Sequence, residues 1–126
     1  MFGLRALQET QEHTHSFYAA SVNTITAYPS LTGDQRADVV VVGGGFSGVN
    51  TALELAERGF DVALVEANRI GWGATGRNGG QVIGGIGHTP ERFKKAIGEA
   101  GIRDIYQMGI EARDVIRERV ERYNIQ

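Results

Sequence analysis

The 126-residue sequence predicts an α/β fold organised around one parallel βαβ unit with helices following it. Three observations predict it. A short β-branched run, Asp38-Val39-Val40-Val41-Val42, leads straight into a cluster of glycines. The glycines open a stretch with helical spacing, and a second apolar run, residues 61–65, ends on Glu66. Strand, tight loop, helix, turn and strand fit within about 30 residues, the length of a βαβ crossover.

The elements follow in order. Residues 1–36 show weak periodicity and form a lead-in to a domain spanning residues 37–126. A short turn of helix is expected within residues 13–21, and Tyr28-Pro29 and Thr32-Gly33-Asp34 are turn signals. The run at 38–42 is short and continuously apolar, as in a parallel strand buried on both faces. From Phe46 to Arg58, residues Val49, Ala52, Leu53 and Ala56 share one helix face, and Gly59 is a natural C-terminal stop. Residues 67–88 are glycine-rich and lack regular periodicity. Thr89-Pro90-Glu91 reads as an N-cap, a proline at the first helical position and an acid in the first turn. A short helix is expected to about Ile97, stopped by Gly98 or Gly101. A longer one is expected from Ile102, with Ile105, Ala112, Ile116, Val120 and Tyr123 on one stripe. Its outer face pairs Asp114 with Arg117 and Glu118 with Arg122, each worth about 0.2–0.5 kcal/mol. Two strands do not make a stable open sheet, and nothing evident covers the last apolar stripe. The expectation is an incomplete domain, the leading portion of a longer polypeptide.

Composition narrows the function classes. The formal net charge is −2, so no large basic field favours nucleic acid or an anionic membrane. There are no cysteines, which excludes disulfides, thiolate metal sites and a catalytic thiol. No apolar segment is long enough to span a bilayer, and residues 1–20 do not read as a signal peptide. A cytoplasmic location is therefore the default expectation. Glycine is unusually abundant, 18 residues against 2 prolines. It concentrates in residues 43–48 and 71–87, beside strand-like and helix-like runs, which argues for backbone held close to a ligand.

Gly43-x-Gly45-x-x-Gly48 carries the first chemistry. Gly43 allows the tight turn out of the strand. Gly45 removes a side chain where pyrophosphate must approach the backbone, and Gly48 lets helix and strand pack closely. The helix N-terminus offers unpaired N–H groups and partial positive charge to phosphates. Glu66 ends the second strand, where an acid accepts hydrogen bonds from the adenosine ribose hydroxyls. A carboxylate there disfavours a 2′-phosphate, and so NADP. These features describe a Rossmann-like dinucleotide unit and leave FAD and NAD both open. The second glycine stretch, Gly71-Trp72-Gly73-Ala74-Thr75-Gly76-Arg77-Asn78-Gly79-Gly80-Gln81, favours FAD, because a loop of this kind can wrap a second part of a longer cofactor. An NAD-dependent dehydrogenase remains an alternative that does not explain that loop. A non-catalytic nucleotide-binding module is another.

The glycine loop, Glu66-Ala67 and especially residues 70–81 resemble the N-terminal region of the D-amino-acid-oxidase-like (DAO) flavoproteins. Within that family the resemblance is nearest to the gamma-glutamylputrescine oxidoreductases, which also have a lead-in similar to Ser16-Phe17-Tyr18-Ala19-Ala20-Ser21. The resemblance implies an FAD-dependent oxidoreductase acting on a small-molecule amine or amino acid by hydride transfer to flavin. It implies pyrophosphate contacts from Gly43, Gly45, Phe46, Ser47 and Gly48, and a ribose contact from Glu66, with Ala67 and Asn68 or Arg69 beside the adenosine. It places Gly73, Ala74 and Thr75 in the phosphate and ribityl region, and Asn78, Gly79 and Gly80 towards the flavin. Family members are much longer, so catalytic and substrate-selecting residues are expected in a further portion of the polypeptide, which activity would require. No metal is implied.

Other residues have two readings each. Arg77 could act at the cofactor, neutralising phosphate or lining the flavin site, or form a plain loop salt bridge. Trp72 could stack on a ring of the cofactor or pack beneath the loop. His88 could act as a base or be an exposed loop histidine. His13 and His15, two residues apart, make a poor metal pair with no third ligand nearby. The alternating charges of residues 113–122 indicate a solvated helix face.

Overall fold

The computed structural model describes residues 12–13, 15–85 and 89–126. The chain divides into two compact units, Met1–Asn78 and Gly79–Gln126.

The first unit opens with helix α1, Phe17–Ser21. Ser16 caps it, its Oγ accepting a hydrogen bond from the Ala19 amide at 3.2 Å. Residues 22–37 form no helix or strand. Strand β1 is Val39–Val42, helix α2 is Phe46–Glu57 and strand β2 is Val62–Val65. The strands pair in parallel, from Val39 opposite Val62 to Val42 opposite Val65. Helix α2 lies between them in sequence and packs against both.

The sheet is covered unevenly. Val39 and Val41 are half-buried, while Val40 is 59% and Val42 83% exposed. A continuous valine run thus serves one covered face and one open one, and the expected burial on both faces is met only on the α2 side. All four residues of β2 are half-buried. The βαβ unit is closed at both ends by backbone geometry. At the end of α2 the Gly59 amide donates to Ala56 O and the Phe60 amide to Leu55 O, the paired bonds of a Schellman stop. Before β1, the Asp38 carboxylate accepts from the Asp61 amide at 3.0 Å, fixing the register at that edge.

The second unit is built on a long helix, α3, Lys94–Arg122, preceded by a 3-10 turn at Pro90–Phe93 that packs on it. Thr89 stands at the cap position and Pro90 follows, as the sequence predicts, though the Thr89 side chain makes no capping bond. Gly98 breaks the helix, with φ 68° and ψ −176°. The predicted interruption therefore falls at Gly98, and helix resumes at once and runs through Gly101. A side chain at Gly101 would meet the Ile97 side chain, so glycine there makes room for Ile97 and does not stop the helix. Pro90 is buried and Ile102 is 7% exposed; they form the small apolar centre of this unit. Ile105 is half-buried, whereas Ile116, Val120 and Tyr123 are exposed. The Asp114–Arg117 pair forms at 3.0 Å between exposed side chains and so adds only tenths of a kcal/mol. Among the described residues no helix is long and apolar enough to cross a membrane.

Candidate cofactor site

The first glycine loop joins the end of β1 to the start of α2. Gly43 leaves the strand at φ +102°, a conformation that residues with side chains rarely adopt. Gly48, in the first turn of α2, lies against that same corner. A Cβ there would stand 1.9 Å from Gly43 O and 3.5 Å from Val41 Cγ1, so helix and strand meet only because Gly48 has no side chain. Gly45 is the N-cap of α2 and supplies no capping side chain, and no acidic residue sits in the first turn. The Phe46 amide donates instead to Thr75 Oγ1 at 3.0 Å, a cap delivered from the second glycine loop. Among the described residues no acceptor meets the Ser47 and Gly48 amides.

Glu66 follows β2 and turns back on the loop. Its Oε2 accepts from the Gly44 amide at 2.6 Å and its Oε1 from the Asn68 amide at 2.9 Å. Such charge-assisted bonds are the strong ones. An ionised carboxylate offers about four lone-pair sites, so two remain for further donors. Gly44 is buried and bonded on its other side too, its carbonyl accepting from the Gly71 amide at 2.8 Å. A Cβ at Gly44 would meet Ile70 Cδ1 at 2.5 Å. The sequence motif leaves Gly44 as a free position; in the structure it ties the first loop to both Glu66 and the second loop. A third consecutive glycine was the available signal.

The second loop turns through a 3-10 segment, Ala74–Gly76. Thr75 projects from it towards α2, and a Cβ on Gly45 would lie 3.2 Å from Thr75 Oγ1. Asn78 closes the turn, its Nδ2 donating to Thr75 O at 2.7 Å and Ala74 O at 3.1 Å. Arg77 folds over Trp72, its guanidinium carbon 4.4 Å from the ring centroid, and its Nε donates to Trp72 O at 3.0 Å. The Trp72 Nε1–H donates to Glu12 O at 2.9 Å, pinning the lead-in. These two residues thus brace the loop, with Arg77 stacked on the Trp72 ring.

Most of the predicted set is therefore assembled within the first unit. Gly43, Gly45, Phe46, Ser47 and Gly48 surround the start of α2. Glu66 and Thr75 reach that loop by direct hydrogen bonds, and Gly73 and Ala74 flank Thr75. Ala67 is exposed, and half-buried Arg69 lines a cavity beside the lead-in. Gly79 and Gly80 open the second unit. His88 lies outside the described residues. Among those residues no group of three or more His, Cys, Asp or Glu side chains is placed to hold a metal ion.

The FAD dependent oxidoreductase (DAO) family model matches residues 38–126. The chain belongs to that family. Its cofactor is FAD. Curated relatives are similar over nearly the whole chain. Gamma-glutamylputrescine oxidoreductase of Escherichia coli is 46% identical over 114 residues, 90% of this chain and 27% of that protein. The probable oxidoreductase OrdL of Haemophilus influenzae is 44% identical over 116 residues, 92% of this chain and 27% of that protein. An aerobic glycerol-3-phosphate dehydrogenase of Staphylococcus saprophyticus is 38% identical over 68 residues, 54% of this chain and 12% of that protein. The chain thus spans about a quarter of the length of the first two curated relatives. No solved structure matches it.

The first unit's geometry fits the adenosine diphosphate half of FAD. The space beside Gly45 is one that a Cβ would narrow, the start of α2 is free of acid, and its Ser47 and Gly48 amides have no acceptor among the described residues. Glu66 is held with acceptor capacity to spare.

Proposed function

We propose that this chain is the FAD-binding part of an oxidoreductase that oxidises a primary or secondary amine or amino acid, with gamma-glutamylputrescine as a representative substrate. The observation that carries the reading is the hydrogen-bonded junction of three segments: Gly44 to Glu66, Gly44 to Gly71, and Phe46 to Thr75. It supports a Rossmann-like unit in which both glycine loops serve one cofactor. The similarity to gamma-glutamylputrescine oxidoreductase supports the amine.

In this reading the Ser47 and Gly48 amides at the start of α2 hold the pyrophosphate, with Phe46 bordering it, helped by the partial positive charge of the helix end. Gly43 and Gly45 let the backbone approach it. Glu66 accepts from the ribose hydroxyls, with Ala67 and Arg69 next to the adenosine. Gly73, Ala74 and Thr75 border the pyrophosphate and ribityl chain, the Thr75 hydroxyl donating outward while its oxygen caps Phe46. Asn78, Gly79 and Gly80 lie towards the flavin ring. A flavin held by these residues would supply two-electron acceptance, so that a hydride could leave the carbon bearing the substrate amine and water could release the product as a carbonyl and ammonia or a smaller amine. The chain's own role is to bind and orient, the usual division of labour in cofactor enzymes. Residues selecting the amine belong to the remainder of the polypeptide.

The test is the visible absorbance spectrum of the purified full-length protein before and after anaerobic addition of gamma-glutamylputrescine and a panel of simple amines. A flavin spectrum that bleaches with an amine is the expected result. Folded protein without flavin would overturn the cofactor site, and flavin that no amine bleaches would overturn the substrate class.

A further inference from the structure

The second unit holds a cavity that the nucleotide fingerprint does not account for. Its volume is about 910 Å³, and small-molecule sites run from about 300 to 1,000 Å³. Tyr106, Ile110 and Arg113 form one wall, spaced three and four apart on a single face of α3. Ile83 lines it from the segment before the 3-10 turn, and Pro90 and Arg92 line it from the turn itself. Glycine seats that segment on the helix. A Cβ on Gly109 would stand 2.8 Å from the Gly85 amide nitrogen, and Gly85 itself turns at φ +104°. The same approach brings Arg113 beside the segment, where a Cβ on Gly84 would lie 3.5 Å from Arg113 Nε.

The cavity carries unbalanced positive charge. Arg92 and Arg113 both line it, and no acidic residue does. Among the described residues neither guanidinium meets a carboxylate or another acceptor. Glu91, the acid next to Arg92, accepts from the Tyr106 hydroxyl at 3.0 Å. A guanidinium fork matches a carboxylate through two parallel N–H···O bonds. Ile83, Pro90, Ile110 and the Tyr106 ring supply apolar surface suited to a carbon chain.

We propose that this cavity takes the carboxylate end of the substrate, with Arg92 and Arg113 holding the acid and the apolar walls holding the chain that joins it to the amine. The inference rests on the proposed reading of Asn78, Gly79 and Gly80 as the flavin side. Ile83 follows Gly80 by three residues, which is at most about 11 Å of chain. It adds to that reading a contact from this part of the polypeptide to the substrate's acidic end, while the amine end is selected elsewhere. Gamma-glutamylputrescine has the chemistry required, a free carboxylate towards one end and a primary amine at the other.

The experiment uses the full-length flavoprotein and two substrates of the same shape: gamma-glutamylputrescine, and the same molecule with its carboxylate converted to the neutral carboxamide. The wild type should favour the carboxylate through KM. Arg113→Gln and Arg92→Gln should each raise KM for gamma-glutamylputrescine about tenfold or more, the size of one lost charge-assisted pair, and leave kcat within about twofold. The KM of the carboxamide should not move, and Arg113→Lys should keep part of the preference. Gamma-glutamylbutylamide, which keeps the carboxylate but has no terminal amine to oxidise, reads binding alone by calorimetry and should bind both glutamine variants more weakly. Flavin content and melting temperature equal to those of the wild type show that each fold is kept. Equal KM for the two substrates in the wild type would overturn the proposal, as would an unchanged KM in both glutamine variants. Wild-type preference for amines that carry no acid would overturn it too. A wild type that oxidises no amine at all would instead overturn the reading on which the proposal rests.

Discussion

At Gly44 and Gly48 the space a side chain would need is taken by the protein itself. At Gly79 and Gly85 it stands open or is held by something that can move. A Cβ on Gly48 would strike the Gly43 carbonyl, and one on Gly44 would strike Ile70. A Cβ on Gly79 would meet only the amide end of the Gln81 side chain, and one on Gly85 would meet nothing within 4 Å. The first cluster uses glycine to bring backbones together, with the helix start, Glu66 and the second loop converging on it. The second uses glycine for its conformational range, as at Gly85, where φ is +104°. Abundance of one residue type therefore marks two different physical demands, and substitution separates them.

The largest effect should come from Gly48→Ala. The contact at 1.9 Å is with backbone, which cannot swing aside, so α2 must shift from β1. Over-packing costs about 1–3 kcal/mol and occasionally more, and a backbone clash belongs at the upper end, read as a lowered denaturant midpoint with loss of FAD binding. Next is Glu66→Gln, which replaces a carboxylate accepting two amides with a neutral group. Hydrogen bonds to charged groups contribute about 1.5–3 kcal/mol, and both stability and FAD affinity should fall by amounts of that order. Thr75→Val removes the acceptor of the Phe46 amide and should cost about 1 kcal/mol, as loss of a cap does. Thr75→Ser should restore it, and calorimetry of the three proteins checks both. Gly79→Ala should stay within about 0.5 kcal/mol, because Gln81 can rotate away. If Gly79→Ala cost as much as Gly48→Ala, the distinction between the two clusters would collapse.

The smallest effect lies in the second unit. The Tyr106 hydroxyl donates to Glu91 Oε1 at 3.0 Å, tying the 3-10 turn to α3. That bond, with lesser help from desolvation and the Glu91 charge, raises the phenol above its ordinary value of 10.0. A raised folded value means that the stabilisation is fully present below the unfolded pKa and is lost as pH rises through the folded one. Tyr106→Phe should therefore be neutral to slightly destabilising at pH 7 and should remove an alkaline decline in melting temperature. The side chain is exposed, so the change is slight.

The βαβ unit was legible because its signals are local. The valine run, the helical spacing from Val49 to Ala56 and the stop at Gly59 each reflect a few neighbouring residues, and the structure follows them. The break at Gly98 was legible for the same reason. The bonding at the site was not. Gly44 occupies a position the fingerprint leaves variable, and its role depends on Glu66 and Gly71, which are distant in sequence. Thr75 was read as a cofactor contact, yet its hydroxyl oxygen is already used by Phe46, a bond across 29 positions. Arg77 had two candidate roles, and neither was the stack on Trp72. The open valines of β1 mark the same limit. A continuous apolar run says that both faces suit burial, and what covers each face is decided by other parts of the chain.

The junction at Gly44 also bears on the order in which the protein is made. Its bonds, the cap from Thr75 and the tether from Trp72 to Glu12 all lie within residues 12–78. Domains emerging from the ribosome generally fold as units from the N-terminal side. The bonds that tie the two glycine loops to each other and to the lead-in are thus all within reach as soon as that stretch leaves the exit tunnel. On the proposed reading of the site, most of the part of the chain that meets FAD is therefore also the part that is made first.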